Sequence, residues 1–393
     1  MTLNQELLGK HVKVVGGFAF KSEQFAEKGI PVIRISDIQG GIVSIEKAAQ
    51  IPEANIGKGE SYCIQAGDIL VAMSGATTGK IGLVPNNFDG LVLQNQRVGN
   101  FKITSPEKLH KGYLKHYVNS PFYQGKILNT MAGAAQPNIS SKQLENIEIP
   151  LPPLPDQIRI ATILDQADAL RVKRREALAQ LDSLTQSIFI EMFGDLSNNP
   201  MKFPVHSLGS ICDVRDGTHD SPKFVESGFP LITTKNLRDG TVDFSDASFI
   251  SAADYDAINK RSKVDMGDIL MPMIGTIGNP VLVENEPAFA IKNVALIKFS
   301  SNSPDRRFIL RLLKSRYFER LVMSKNKGGT QKFLSLGDIR SLPIPLPPKP
   351  LQEKFSRTMK QLKLVETTHS DSSAELDNLF ASLQYRAFRG ELV

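Results

Sequence analysis

The chain is written twice. Gly67-Asp68-Ile69-Leu70 returns as Gly267-Asp268-Ile269-Leu270, 200 positions later. Ile149-Pro150-Leu151-Pro152-Pro153 returns as Ile344-Pro345-Leu346-Pro347-Pro348, and Leu181-Asp182-Ser183-Leu184 as Leu376-Asp377-Asn378-Leu379, each 195 later. The landmarks keep their order, so small loop insertions alone shift the register. A period near 195 is far too long for a solenoid and implies two whole domains, each with its own core. Two similar domains suit two similar targets, or one target with two similar halves.

Each copy reads as a mixed domain followed by a helix. Val32–Ile35, Ile69–Met73, Ile81–Val84 and Val98–Ile103 are short branched runs bounded by glycine, asparagine and proline, the pattern of strands. Pro230–Thr234, Ile269–Met273, Val281–Val283 and Val294–Phe299 answer them in the second copy. One or two amphipathic helices follow, over Pro106–Met131 and Pro304–Ser324. The segments IPLPPLP at Ile149–Pro155 and LPIPLPPKP at Leu342–Pro350 lack amide donors and predict extended struts rather than sheet interior.

A long helix without internal glycine or proline follows each strut. Ile160, Ile163, Ala167, Leu170, Arg174, Ala177, Leu181, Leu184 and Ile188 form a heptad seam interrupted at Arg174. Phe355, Thr358, Leu362, Val365, His369, Ser372, Leu376, Leu379 and Leu383 repeat it, with the polar interruption again central. Apolar ends and polar middles permit an antiparallel pair. Helices of about 32 residues would each span roughly 48 Å and hold two globular domains apart, a geometry suited to a split DNA site.

Charge sharpens this. Of the net +6, residues 1–196 carry +1 and residues 197–393 carry +5. Arg306, Arg307, Arg311, Lys314, Arg316, Arg320, Lys325, Lys327 and Lys332 face only Glu319 in their stretch, and Lys108–Lys126 holds four lysines, two histidines and no acid. One such cluster reads as a solvated helix face; its recurrence favours a polyanion site. No apolar run approaches the ~18 residues of a membrane span, and the first residues lack a secretory signal. Cys63 and Cys212 do not match between repeats, so two reduced thiols in a cytoplasmic protein are expected.

The ordered set of motifs resembles the specificity subunit of a type I restriction–modification system over essentially the whole chain. It comprises GFAFKSEQF at Gly17–Phe25, IPVIRISDI at Ile30–Ile38, GDILVAMSGATTGKIG at Gly67–Gly82 and QPNISSKQLENIEIPLPPLPDQ at Gln136–Gln157. The second copy adds DVRDGTHDSPKFVESGFPLITTKNL at Asp213–Leu237, GDILMPMIGTIG at Gly267–Gly278 and AFRGEL at Ala387–Leu392. The resemblance implies an α+β fold in which two pseudo-repeated target recognition domains, residues 1–155 and 197–350, are separated by long antiparallel coiled-coil-like helices, residues 156–196 and 351–393. It further implies binding of double-stranded DNA, docking of two methyltransferase subunits, and restriction subunits in the same assembly. S-adenosylmethionine, ATP and magnesium then belong to those partners, and none to this chain. A methylation-only or fused system, or a protein scaffold without a DNA role, are the alternatives.

Catalytic and metal sites are not expected here. Gly75-Ala76-Thr77-Thr78-Gly79-Lys80 is one residue short of a P-loop, Ile81 follows its lysine, and the second copy has no lysine. The Pro-Pro pairs at Pro152 and Pro347 lack the Asp/Asn and aromatic flanks of an adenine methyltransferase loop, and no lysine has an acid two residues before it, as a common nuclease site needs. His219, Asp220 and Ser221 are sequence neighbours, which does not make a triad. Asp68 and Asp268 read as turn or strand caps.

Loop side chains that can reach bases or phosphates are the candidate readers. In the first copy they are Lys21, Arg34, Ser74, Thr77, Thr78, Lys80, Gln94, Asn95, Gln96, Arg97, Gln136 and Asn138. In the second they are Thr218, His219, Lys223, Lys235, Asn236, Lys260, Arg261, Thr276, Lys292, Asn293, Lys327, Gln331 and Lys332. Amides pair with adenine and arginine with guanine; equally, such amides cap backbone at strand edges. The two sets differ, so the two half-sites should differ. Arg171, Arg174 and Arg175 face DNA or solvent. Phe189, Met192, Phe193, Phe380, Tyr385 and Phe388 anchor partner subunits or pack on the chain's own domains.

Overall fold

The computed structural model describes residues 4–131, 137–238, 240–273, 279–325 and 333–392. They form two compact units: residues 1–175 with 371–393, and residues 176–370.

In unit 1 the strands are β1 (Gln5–Leu7), β2 (Val12–Gly16), β3 (Ile30–Ile33), β4 (Ile38–Gln39), β5 (Ile42–Val43), β6 (Ala49–Ile51), β7 (Ile69–Ala72), β8 (Ile81–Leu83), β9 (Leu93–Gln94), β10 (Val98–Ile103) and β11 (Glu148–Pro150). A six-stranded sheet runs β2-β10-β7-β8-β5-β4, and β6-β3-β9 forms a second sheet. Helices α1 (Lys111–Val118), α2 (Pro121–Met131) and α3 (Ser141–Glu145) follow, then α4 (Leu154–Phe193). The core joins Val12, Val14, Ile69 and Val71 of the sheet to Tyr113, Tyr117 and Tyr123.

Unit 2 answers with β12 (Val205–Ser207), α5 (Leu208–Ile211), β13 (Asp213–Asp216), β14 (Phe224–Val225), β15 (Phe229–Ile232), β16 (Leu237–Arg238), β17 (Thr241–Val242), β18 (Ser248–Ile250) and α6 (Ala252–Ser262). Then come β19 (Ile269–Pro272), β20 (Val281–Leu282), β21 (Ala290–Ile291), β22 (Val294–Lys298), α7 (Arg306–Leu313), α8 (Arg316–Lys325), α9 (Leu336–Arg340), β23 (Pro343–Pro345) and α10 (Lys349–Phe388). Its sheets run β13-β22-β19-β20 and β14-β18-β15-β21.

The same residues punctuate both copies. The predicted amphipathic stretch breaks at Ser120 and Ser315, whose hydroxyls donate to Tyr117 O and Leu312 O, both at 2.6 Å, and close one helix before the next begins. Buried Gln157 accepts from the His110 amide at 2.9 Å and donates to Pro152 O at 2.8 Å; Gln352 does the same with Asp305 and Pro347 at 2.8 and 2.7 Å. Asp68 and Asp268 accept the amides of Gln65 and Asp265, the expected turn caps, and also bind Lys102 at 2.7 Å and Lys298 at 2.6 Å.

The proline segments differ from the sequence expectation. Their first residues are strands, β11 on β1 and β23 on β12, because a two-stranded ladder tolerates proline where only its carbonyl is needed. Their last residues already belong to helix: α4 starts at Leu154, with Pro155 in the first turn where no amide donor is required.

In unit 1, Ile160 and Leu164 of α4 share a core with Ala387 and Phe388 of α10, and Arg171 meets Asp377 at 2.5 Å. The numbers rise on one helix and fall on the other, so these stretches are antiparallel. In unit 2, Phe189 and Phe193 of α4 lie on Phe355 at 5.5 and 5.3 Å, while Leu181 and Thr185 line one cavity with Met359 and Leu362. There too they are antiparallel. The predicted seam holds at most of its positions: Ile160, Ala167 and Phe355 are buried, and Ile163, Leu181, Ile188, Leu362, Leu376 and Leu383 are half-buried. Four positions depart from it: Leu170, Leu184, Val365 and Leu379 are exposed, and beside three of them Arg171, Thr185 and Phe380 are half-buried instead. Each helix must cover a globular core as well as its partner, which widens and turns its buried stripe.

Candidate nucleic-acid interface

Each unit turns out of its first sheet strand at a glycine that nothing else could replace. A Cβ on Gly17 would fall 2.1 Å from Gln94 O, and one on Gly217 would fall 2.4 Å from Ile291 O. The segments beyond then pair in parallel, Phe18 with Asn95 and Thr218 with Lys292. Polar loop residues collect around these two crossings.

In unit 1 the Asn95 amide donates to Ile33 O at 3.0 Å, which puts Asn95 beside Arg34. The Met73 amide donates to Arg97 O at 2.9 Å, which puts Arg97 beside Ser74, and Ser74 bridges to Asn138. Arg34, Gln96, Arg97 and Asn138 are exposed in this group, with Ser74 and Asn95 half-buried. Lys80 is exposed at the start of β8, and Lys21 opens the short helical turn before Phe25, whose ring lies 5.8 Å from the Arg34 guanidinium.

Unit 2 brings Thr218, His219, Arg261, Lys292 and Asn293 together. The Asn293 amide donates to Thr218 O at 3.1 Å. His219 places Nδ1 2.8 Å from Asn293 Oδ1 and Nε2 2.9 Å from Asp216 Oδ2. Asp216, only 5% exposed, also binds Arg261, and Lys292 Nζ donates to Ser221 Oγ. The hydrogen bond to Asn293, then that to Asp216, hold the His219 pKa above the ordinary imidazole value. His219 thus pairs with Asp216 rather than its neighbour Asp220, and Ser221 pairs with a lysine, which is no triad. Lys235 is exposed beside Thr234, whose hydroxyl reaches Asn293 O at 3.4 Å. Lys223 and Lys260 are exposed, before β14 and in the last turn of α6.

Several expected readers face inward. Gln94 is 2% exposed and donates to Val15 O and Val98 O, both at 2.7 Å, because the crossing strands leave two carbonyls needing one donor group. Asn236, 1% exposed, caps its turn through Thr233 and Asp243. The Thr77 hydroxyl is buried, and Thr78 Oγ1 donates to Gly75 O at 2.7 Å. In this P-loop-like segment the amides of Gly75, Thr78, Gly79 and Lys80 all bond to the chain's own carbonyls, so they form no phosphate cradle. Gln136, Thr276, Lys327, Gln331 and Lys332 lie outside the described residues.

Part of each recurring basic cluster is bound to the chain's own acids. Lys115 and His116 meet Asp165; Arg307 meets Glu284 at 3.9 Å, Arg311 meets Asp182 at 3.7 Å, Arg320 meets Asp195 at 3.7 Å and Lys325 meets Asp338 at 2.9 Å. Arg171 turns inward, binding Asp377 and stacking 4.3 Å from the Phe380 ring, while Arg175 reaches the same Asp377 from an exposed position. The aromatic helix ends also turn inward. Phe189, Phe193 and Phe388 are buried in the chain's own cores, Met192 and Phe380 pack against those cores, and Tyr385 alone is exposed. What the sequence reading missed is Asp216, signalled only by being an acid at a strand end next to a glycine. It also missed the outward apolar residues Leu170, Leu184, Leu364, Val365 and Leu379.

Comparison with known proteins supplies the context. The profile described as "Type I restriction modification DNA specificity domain" matches residues 8–181 and again 200–378. The chain is 28% identical to the type I restriction enzyme EcoBI specificity subunit of Escherichia coli, over 96% of this chain and 84% of that one. It is 26% identical to the EcoKI specificity subunit of E. coli K12, over 96% and 87%. A crystal structure of a type I restriction–modification S subunit from M. genitalium shares the fold at TM-score 0.57 and 18% identity, covering 98% of this chain and 96% of that one.

Proposed function

Because the chain belongs to the family of type I restriction–modification DNA specificity proteins, we propose that each of its units reads one half of a bipartite, asymmetric DNA site. It is the DNA sequence-specificity subunit of such a system. One observation carries the assignment of readers: exposed and half-buried polar side chains gather at matching glycine crossings in both units, with different side chains in each. In unit 1 the readers are Arg34, Ser74, Lys80, Asn95, Gln96, Arg97 and Asn138, and in unit 2 Thr218, His219, Lys235, Arg261, Lys292 and Asn293. We divide the chain into readers at 1–155 and 197–350 and spacer helices at 156–196 and 351–393.

The exposed apolar residues of the helices, Leu170, Leu184, Val365 and Leu379, recur at heptad spacing and suit docking of methyltransferase subunits better than the buried aromatics do. Specificity subunits of these systems are generally non-catalytic. In this reading the chain is too, working in the cytoplasm while its partners carry S-adenosylmethionine, ATP and magnesium.

The test is fluorescence anisotropy with the chain and its methyltransferase partner on duplexes bearing the motif mapped from methylated DNA. Affinity should fall steeply with salt, and exchanging residues 1–155 for a relative's should change one half of the methylated motif only. Binding indifferent to salt would favour a protein scaffold, and a change in both halves would refute independent readers.

A further inference from the structure

Both ring nitrogens of His219 face oxygen acceptors. A neutral imidazole has one N–H, so only the imidazolium satisfies both contacts. Asp216 is buried and shared with Arg261, so its carboxylate is fixed in place. When the ring loses a proton, that carboxylate keeps the remaining one on Nε2, and Nδ1 is left bare toward Asn293. The other charged groups nearby are Arg261 at the end of α6 and, in the adjoining loops, Lys292 and Asp220.

The Asn293 backbone is held. It adopts φ 54°, a left-handed conformation that asparagine tolerates, and both its amide and its carbonyl are bonded, to Thr218 and Thr234. Only its side-chain amide can respond to His219. A protonated Nδ1 donates to Oδ1 and leaves the Asn293 amino group as the outward end. A bare Nδ1 must instead accept from that amino group, so the amide turns over and presents Oδ1. A donor reads purine N7, guanine O6 or thymine O4; an acceptor reads the exocyclic amines of adenine and cytosine.

We propose that His219 is a positioning residue whose protonation sets whether Asn293 offers DNA a donor or an acceptor, so that base discrimination in the second half-site depends on pH. The proposal rests on unit 2 reading DNA. Unit 1 is an internal control. The Phe18–Asn95 bridge matches Thr218–Lys292, so Ala19 and Gln96 stand where unit 2 has His219 and Asn293. The contacts to Asn293 and Asp216 raise the His219 pKa, so the donor state holds below that raised value and is lost as pH rises through it.

The experiment uses the assembled chain and methyltransferase partner. Short duplexes carry the motif mapped from methylated DNA, with single base-pair substitutions in either half, and anisotropy is read from about pH 6 to 9 around the imidazole range. Discrimination at one base pair of the second half-site should change about tenfold across the titration, while the first half-site stays flat. H219Q, which cannot titrate, should give a flat profile, and N293A should lose discrimination at that pair alone. A flat profile in the parent protein, or a pH-dependent one in H219Q, overturns the proposal. Loss of sequence-specific binding at every pH instead overturns the reading that unit 2 recognises DNA.

Discussion

Leu164 and Leu170 test the phase of α4. Leu164 is fully buried in the unit 1 core with Tyr113 and Tyr117, whereas Leu170 is 53% exposed. Truncating a buried leucine to alanine costs about 2–5 kcal/mol in transfer and cavity terms. A side chain already half in water can lose only about half of the ~1.5–3 kcal/mol that full burial contributes, so Leu170→Ala should cost below about 1.5 kcal/mol. Hydrogen exchange in α1 and α2, whose Tyr113, Tyr117 and Tyr123 share a core with Leu164, reads this locally. Leu164→Ala should speed their slowest amides by about 30-fold or more, the equivalent of ~2 kcal/mol, and Leu170→Ala by less than about tenfold. If the outward face serves partners, Leu170→Asp should leave that protection intact while weakening co-purification with the methyltransferase subunit. Equal losses from Leu164→Ala and Leu170→Ala would refute the outward placing of Leu170.

Gln157→Leu should destabilise unit 1 by about 2–4 kcal/mol, since it strands the His110 amide and the carbonyls of Lys108 and Pro152; denaturant melts should show it, and a shift under 1 kcal/mol would mean water replaces the side chain. A native thiol count should find one reactive cysteine, the exposed Cys63, because burial pushes the Cys212 thiol up to about 12; mass spectrometry locating label on Cys212 before unfolding would contradict its burial in the unit 2 core.

The duplication and the longer strands were legible because apolar runs flanked by glycine within three residues, such as Ile69–Ala72 and Ile269–Pro272, state their own boundaries. The helix phase was legible only in part: Ile160, Ala167 and Phe355 are buried as expected, whereas Leu170 and Leu184 are exposed. Ile163 and Leu164, or Ala177 and Leu178, offer two apolar residues in succession, so spacings of three and four fit either choice. Nor does hydrophobicity predict that Arg171 goes inward while Leu170 stays out; Asp377 and Phe380, more than two hundred residues away, decide that. Of the candidate readers, Gln94 and Asn236 failed for one reason. A side-chain amide serves backbone groups as readily as bases, and the need for it arises only once strands cross.

A duplicated chain also separates frame from function. Positions that serve the frame keep their chemistry at offsets between 195 and 200. Tyr113 on Phe388 corresponds to Phe308 on Phe193, Gln157 to Gln352, and Asp68 with Lys102 to Asp268 with Lys298. At the two glycine crossings the backbone is likewise kept, down to the parallel bridge, yet Ala19 and Gln96 stand opposite His219 and Asn293. A fold under selection for stability alone has no reason to hold the backbone so closely and vary the side chains it presents. Two readers of different half-sites do, because the position of the contact is fixed by the duplex while its identity follows the base.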